Sequence, residues 1–445
     1  MRVLVISLAL IGLIIRAGLL TQCLWYDEMF LLRQWVSRDW ASIVSGDYLP
    51  NNHVLYTLLA KFCAELTGSD LSIVSVMIRL PAVIAGIAAG LLIAWPMRRA
   101  SMREFCLLGA LAMTQPWLVS FSGWARGYTL MLALCLGAVL LLWNSRWRWY
   151  VLAMTAAIYT HPLAVVALTG QGIMIALLKR QHLRQWLWAA IITGLASALL
   201  YAPLMRGAVG YFSQPQSPAE GYGEFLSQSL LGVQCANVFS SKVHIALGMF
   251  ICTIGAALAW KREPLRPLIA TFAATSLLGA LVPLLLPSAG AARAMVWLIP
   301  LYAMGIFGLA LHARKWMLPA IAAALLFFAV VIEREMAIPA QPIEEALISA
   351  RKLAQDRPVA GVYMASDETK VIYGNLDAAA YTLPSLEELA PYGPVMIVFY
   401  PDNLRRDQNA MWQWLERHYK TAQVLPGRIS NVLILEPLPE ATTLP

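Results

Sequence analysis

Two adjacent carboxylates, Asp27 and Glu28 in LWYDEMFLLR, follow directly on an apolar N-terminal run, at the point where the chain should leave a bilayer. Three further ionisable residues each border an apolar run: Arg126 in FSGWARGY, His161 in IYTHPL and Arg293 in SAGAARAMVW. Such groups at membrane depth are costly and mark function by default. A carboxylate can take a proton from an attacking hydroxyl, while fixed guanidinium groups hold a phosphate leaving group and neutralise the charge it gains. Glycosyl transfer from a lipid-linked sugar phosphate needs both, and a single displacement needs only one base. Plainer physical accounts stand beside this one. The acids suit the positive N-terminal end of an interfacial helix, His161 before Pro162 suits the break of a helix hairpin, and Arg293 and Arg16 suit snorkelling to headgroups.

The elements that must position these residues follow from composition. The 445 residues are 59% hydrophobic and only 13% charged, with a mean hydropathy of +0.63, whereas a globular domain carries about 25% charged residues. Apolar runs able to cross, or nearly cross, about 30 Å of hydrocarbon fall at 3–20, 79–97, 105–121, 127–143, 148–160, 162–178, 186–205, 243–260, 267–287, 294–311 and 316–332, about eleven spans. The first lacks a small-x-small cleavage site before a polar start and reads as a retained span. Basic clusters around Arg98–Arg103, Arg146–Arg148, Lys179–Arg184, Lys261–Arg266 and Arg314–Lys315 occupy every second loop, which the positive-inside rule makes cytoplasmic. The N-terminus is then inside. Asp27, Glu28, Arg126, His161 and Arg293 all lie outside. The net charge of +8 is spread over these short clusters and forms no single basic face, so a nucleic-acid partner is not indicated.

Region 21–78 is too long for a plain connection and too polar to span. Met29, Leu32, Val36, Trp40 and Ile43 predict an interfacial helix, and Leu55, Leu58, Phe62 and Leu66 a second one along the outer leaflet. Stretch 211–225 is rich in Pro and Gly and reads as an outer loop. After residue 332 a helical stretch precedes the strand-like runs VAGVYMA, VMIVFY and NVLILEP, with a helix over Asn403–Tyr419 between the last two. The expected organisation is a transmembrane module over 1–332, with 21–78 as its first outer loop, and a small soluble extracytoplasmic α/β domain over 333–445. The six cysteines show no pairing or ligand spacing, and tryptophans at span ends, among them Trp25, Trp35, Trp95, Trp143, Trp149 and Trp297, read as interfacial belts.

Taken in order, YDE after the first span, LPNNHVLYTLLAKF, RLPAVIAGIAAGLL with RR behind it, ARGYTLMLAL, YTHPLAVVAL and a late ARAMVWLIPLYA resemble the GT-C glycosyltransferases of the protein O-mannosyltransferase and lipid A aminoarabinose transferase type. The resemblance runs from residue 1 to about residue 310. It implies a polytopic α-helical enzyme of the bacterial inner membrane, acting on the extracytoplasmic side. A single sugar would pass from a polyprenyl (undecaprenyl) phosphate carrier to a hydroxyl- or phosphate-bearing glycan, lipid or protein acceptor, with inversion. It further implies Asp27 as the base, Glu28 as its positioning neighbour, and Arg126, His161 and Arg293 as contacts to the carrier phosphate or sugar. His53 and Lys61, where relatives carry a double proline and a lysine, form a weaker pair. Some members use a divalent cation, but the outer loops here offer few further carboxylates beside Glu220 and Glu224, so a metal-independent site is expected. Oligosaccharide transfer or polysaccharide ligation on the same scaffold, and a transporter or flippase using Asp27, Glu28 and Arg126 for an ion path, are the alternative readings.

Overall fold

The computed structural model describes the chain apart from residues 47–48, 50–51, 69, 206, 208–221, 235–240, 286–294, 363–365, 375, 381–382, 390–394, 401–408, 428–430 and 439–445. It divides into a helical unit, Met1–Leu20 with Trp40–Glu333, and a mixed unit, Thr21–Asp39 with Arg334–Pro445. The boundary departs from the expected one in one respect. Residues 21–39 do not belong with the helical module, because their polar contacts go to the C-terminal segment (below).

The helical unit begins with α1 (Arg2–Leu20), α3 (Trp40–Ser45), α4 (Val54–Glu65) and α5 (Leu71–Ala94). It continues through α6 (Met102–Met113), α7 (Pro116–Ser122), α8 (Tyr128–Trp143), α9 (Trp147–Thr160), α10 (Ala164–Leu178) and α11 (Leu183–Tyr201). After α12 (Tyr222–Gln234) and α13 (Ser241–Phe250), a π turn at Ile251–Gly255 leads into α14 (Ala256–Ala259), followed by α15 (Arg266–Leu285), α16 (Leu298–His312) and α17 (Met317–Ala337). Helices stand at every one of the expected spans, but among the described residues six are long and apolar enough to cross a membrane, or seven counting the pair α6–α7, bent by 58°. Three shorter apolar helices, α8, α10 and α16, accompany them. Helix α9 has 14 residues, so it is about 21 Å long and falls short of the hydrocarbon thickness.

Local chemistry sets the breaks. Pro116 opens α7 from behind Gln115, whose side-chain oxygen accepts from the Leu118 N–H at 2.6 Å. Around Pro81, inside α5, the hydroxyls of Tyr56 and Thr129 bond the carbonyls of Ile78 and Ala82 at 2.6 and 3.0 Å. Neighbouring side chains of this kind make an intramembrane proline tolerable.

Two sequence expectations change here. Arg16 does not snorkel: it is fully buried and donates through Nη1 to the carbonyls of Gly12 in α1 and Met113 in α6. The small side chains of the α1–α5 contact leave room for the guanidinium, and carbonyls supply its acceptors. Nor do Trp25, Trp35 and Trp297 lie in an interfacial belt, since each is buried, whereas Trp149 is exposed. Trp95 and Trp143 carry basic partners, Arg98 and Lys179, over their rings at 4.4 and 4.1 Å. Helix α4 forms where the second helical stripe was expected. It buries Thr57, Ala60, Lys61 and Ala64 and turns Phe62 and Leu66 outward, the arrangement of a helix whose apolar stripe meets lipid.

In the mixed unit the first segment forms α2 (Tyr26–Leu31) and a π turn at Leu32–Val36. The single interfacial helix predicted through Ile43 is therefore interrupted, and Ile43 lies in α3 of the other unit. Met29, Leu32 and Val36 are buried, as their spacing requires. The C-terminal segment adds α18 (Ile343–Ala354), β1 (Val359–Val362), α19 (Ser366–Tyr373), β2 (Ala378–Ala380), α20 (Leu383–Leu389), β3 (Val395–Tyr400), α21 (Asn409–His418), β4 (Tyr419–Leu425) and β5 (Asn431–Pro437). The sheet order is β2-β1-β3-β5-β4. Strand β1 runs parallel to β2 and β3, while β5 is antiparallel to β3 and β4. The three predicted strands are present, and two more complete the sheet. The predicted helix to Tyr419 ends one residue earlier, because Tyr419 opens β4.

Candidate active site

The acid pair is built into the mixed unit. Both carboxylates lie in the first turn of α2, at its positive end, and both are buried, Asp27 4% exposed and Glu28 fully enclosed. A solvated helix start is thereby ruled out. Glu28 reaches back so that its Oε2 accepts from the Trp25 N–H at 3.4 Å, a cap on its own helix.

The segment carrying them is stapled down by a series of polar contacts. The Tyr26 N–H donates to Gln341 Oε1 at 2.9 Å, the Leu24 N–H to the Tyr373 hydroxyl at 3.1 Å, and the Cys23 thiol to the Gln341 carbonyl at 3.1 Å. Arg33 pairs with Glu368 at 3.2 Å. The Tyr26 phenol is pushed up to about 12 by burial, then by the charges of Glu368 and Asp27. Every one of the hydrogen-bond and ion-pair partners lies more than 300 residues away in sequence, and no local pattern announces them.

The helical unit gathers a second group. His53 precedes α4, Arg126 and Gly127 precede α8, and His161 sits at the break between α9 and α10. The Gly127 N–H donates to His53 Nδ1 at 2.8 Å, so the ring carries its proton on Nε2. His53 packs edge-on against His161 with centroids 4.6 Å apart and against Tyr128 at 5.0 Å. Tyr128 lies 5.6 Å from His161, and the Arg126 guanidinium stands 5.9 Å from the Tyr128 ring centre. His161 Nδ1 accepts from the Leu163 N–H at 3.2 Å. His161 thus caps the hairpin break, as one reading had it, and also presents its ring to the cluster.

Of the expected contacts, His53, Arg126 and His161 come together. Lys61 does not: it pairs with Glu65 at 2.8 Å and lies over the Trp40 ring at 5.4 Å, eight residues along α4 from His53 and so about 12 Å farther on. Arg293, with Glu220 and the loop stretch around it, lies outside the described residues. Two residues were missed. Tyr128 is the hub of the cluster, and its only signal was its place two residues after Arg126. Arg79, opening RLP, is buried and donates to the Leu20 carbonyl at 2.9 Å, closing the C-terminal end of α1 from which the acid segment departs.

A groove of about 570 Å³ runs between α12, the α13–α14 segment, α15 and α16. Leu226, Ala256, Trp260, Ala273, Leu277 and Leu298 give it apolar walls, and Leu277 is 71% exposed, so the groove opens outward. Sequence reasoning treated 206–242 as loop and missed α12, whose Leu226 and Leu230 form one wall; their i,i+4 spacing was the available signal. Among the described residues no three His, Cys, Asp or Glu side chains converge.

No family model matches the sequence, and no curated protein matches it. Among solved structures, ArnT from Cupriavidus metallidurans in the apo state is similar with a TM-score of 0.54 and 13% identity, over 98% of this chain and 97% of that one. The same protein bound to undecaprenyl phosphate gives a TM-score of 0.55 and 12% identity, over 97% of each chain. The likeness covers the helical unit and the mixed unit alike, and the chain shares the fold of these ArnT structures, one of the folds its motifs led one to expect.

Proposed function

We propose that this chain is a bacterial inner-membrane glycosyltransferase that moves one sugar from a polyprenyl phosphate, undecaprenyl phosphate in the first instance, to an extracytoplasmic glycan, lipid or protein acceptor, with inversion. The observation that carries this reading is the outward-opening apolar groove, set in a fold shared with a protein solved with undecaprenyl phosphate. An isoprenoid tail is as apolar as the bilayer core and enters such a groove from the side with little change of solvent.

Asp27 accepts the proton of the acceptor hydroxyl as its oxygen attacks the anomeric carbon. The bond from that carbon to the phosphate oxygen breaks on the opposite face, and polyprenyl phosphate departs with the electron pair. Arg126 stabilises the charge the phosphate gains, and His161 and His53 orient phosphate or sugar through their Nε2 protons. Arg293 is the further cation proposed for the phosphate. Glu28 holds the helix start and so the direction of its neighbour. In this reading both groups serve the outer face, as the alternation of spans and basic loops requires.

The test uses purified protein in lipid nanodiscs with a polyprenyl-phosphate sugar and candidate acceptors. Release of polyprenyl phosphate that depends on the acceptor is the expected result. Movement of the lipid-linked sugar across the bilayer without turnover would replace the transferase by a flippase, and transfer solely from diphosphate-linked oligosaccharide would replace it by a ligase.

A further inference from the structure

Helices α14 and α16 approach each other backbone to backbone, next to the basic loops that follow each of them. A Cβ on Gly308 would run into the Gly255 carbonyl, and one on Gly305 into the Ile251 carbonyl; only glycine permits this approach. Gly308 also lines a neighbouring pocket of about 480 Å³. Its roof is Gly308 with Leu258 and Leu311, and its mouth carries Lys261, Arg262, His312 and Arg314. Arg314 has a φ of +46°, unusual for a residue with a side chain, in the turn that carries it from α16 to the pocket mouth.

The charges are not internally balanced. Arg262 pairs with Glu104 at 2.6 Å, but among the described residues no hydrogen bond or ion pair engages the side chains of Lys261, His312 or Arg314. Trp316, 63% exposed, and Leu318, 52% exposed, flank the mouth in sequence, the residue types of a membrane interface and of a lipid-facing helix. These basic residues belong to loops that the positive-inside rule makes cytoplasmic.

We propose that this pocket is a binding site for the phosphodiester headgroup of an acidic glycerophospholipid of the inner leaflet. Lys261 and Arg314 grip the phosphate, and the acyl chains lie along the exposed faces of α14 and α17. The volume suits a glycerophosphate headgroup, the apolar roof suits the first methylenes below it, and uncompensated cations between helices on this side are the recognised chemistry of such sites. The site is separate from the groove assigned to the carrier tail, with which it shares none of its lining residues.

Native mass spectrometry of the full-length protein tests this, with equimolar phosphatidylglycerol and phosphatidylcholine of identical acyl chains. Phosphatidylglycerol should be retained preferentially, and Lys261→Gln with Arg314→Gln should lower its affinity by about thirtyfold, roughly fivefold for each cation, while phosphatidylcholine binding and the melting temperature in phosphatidylcholine stay unchanged. Each single substitution should give about the fivefold step, so the result does not depend on the double variant folding well. Equal retention of the two lipids, or a preference that survives the double substitution, would overturn the proposal. So would displacement of the lipid by millimolar inorganic phosphate, which would mark a site for the free ion.

Discussion

The backbone N–H of Gly127 donates to His53 Nδ1 across 2.8 Å, tying the turn before α8 to the turn before α4. A Cβ at Gly127 would stand 2.6 Å from that nitrogen and 2.8 Å from Thr160 Cγ2. The imidazole, the end of α9 and the glycine backbone therefore close on one another with no room for a methyl group. Gly127→Ala should push His53 off its acceptor position and with it the ring contacts to His161 and Tyr128. The expected cost is about 1–3 kcal/mol in stability, with turnover falling more than tenfold. His53→Ala should cost about as much in stability, because it leaves a buried N–H without an acceptor. Thermal melting and polyprenyl phosphate release, measured on both variants, check this; a Gly127→Ala protein with wild-type turnover would mean the cluster tolerates displacement.

The two carboxylates of YDE should separate in their effects. Asp27→Asn preserves shape and removes the base, so turnover should fall by about two to four powers of ten with melting unchanged. Glu28→Gln keeps a weaker cap on the Trp25 N–H and should cost no more than about 1 kcal/mol of stability, with a far smaller loss of turnover. If Glu28→Gln proved the more damaging of the two in kcat, the assignment of base and positioning residue would be reversed.

How much of this was legible in the sequence differs from residue to residue. The helices of the membrane module follow from apolar runs, because burial in hydrocarbon demands length and composition above all. Arg126 and His161 stood out for the matching reason, as charge where charge is costly. Arg16 was legible as an anomaly yet misread: whether an intramembrane guanidinium snorkels or finds carbonyls depends on the neighbouring helix, here Met113 of α6. The allocation of residues 21–39 rests on Gln341, Glu368 and Tyr373, contacts across more than 300 residues that leave no periodicity to read. Strand β4 escaped for a local reason. YKTAQVL is an edge strand that is exposed from Lys420 to Val424, so it lacks the apolar alternation by which strands are recognised.

Acid should loosen the mixed unit at a nameable place. Asp377 pairs with Arg351 at 3.0 Å and accepts from the Val359 N–H, which opens β1, at 2.6 Å. Burial pushes its carboxyl up, but the hydrogen bonds from Arg351 and Val359, with the charges of Arg351 and Lys370, outweigh that and hold it below the usual carboxylate range. A depressed carboxylate binds fewer protons when folded than when unfolded, so its stabilisation is present above the unfolded value near 4 and is lost as pH falls through the folded value. The side chain is 40% exposed, so the effect is screened. Hydrogen exchange of the β1 amides should accelerate by no more than about fivefold on acidification below pH 4, after correction for intrinsic rates. Asp377→Asn should show the faster exchange at neutral pH and lose the acid step.

The groove invites a test that separates tail from headgroup. A tail moving from bilayer to groove leaves one apolar medium for another, so the groove contributes little hydrophobic binding energy. Its contribution is to orient the carrier, and misplacement of reacting atoms by about 1 Å costs on the order of a hundredfold in rate. Ala273 lines the wall, and Ala273→Trp should fill the space where isoprene units run. With the undecaprenyl donor kcat/KM should drop about ten- to a hundredfold. With a farnesyl or geranyl phosphate sugar, too short to occupy the whole groove, it should change by less than about threefold, and the ratio of the two donors is the measurement. Equal losses for both would mean that the substitution disturbs the headgroup site or the fold, whereas no loss for either would move the tail to another surface of the helical unit.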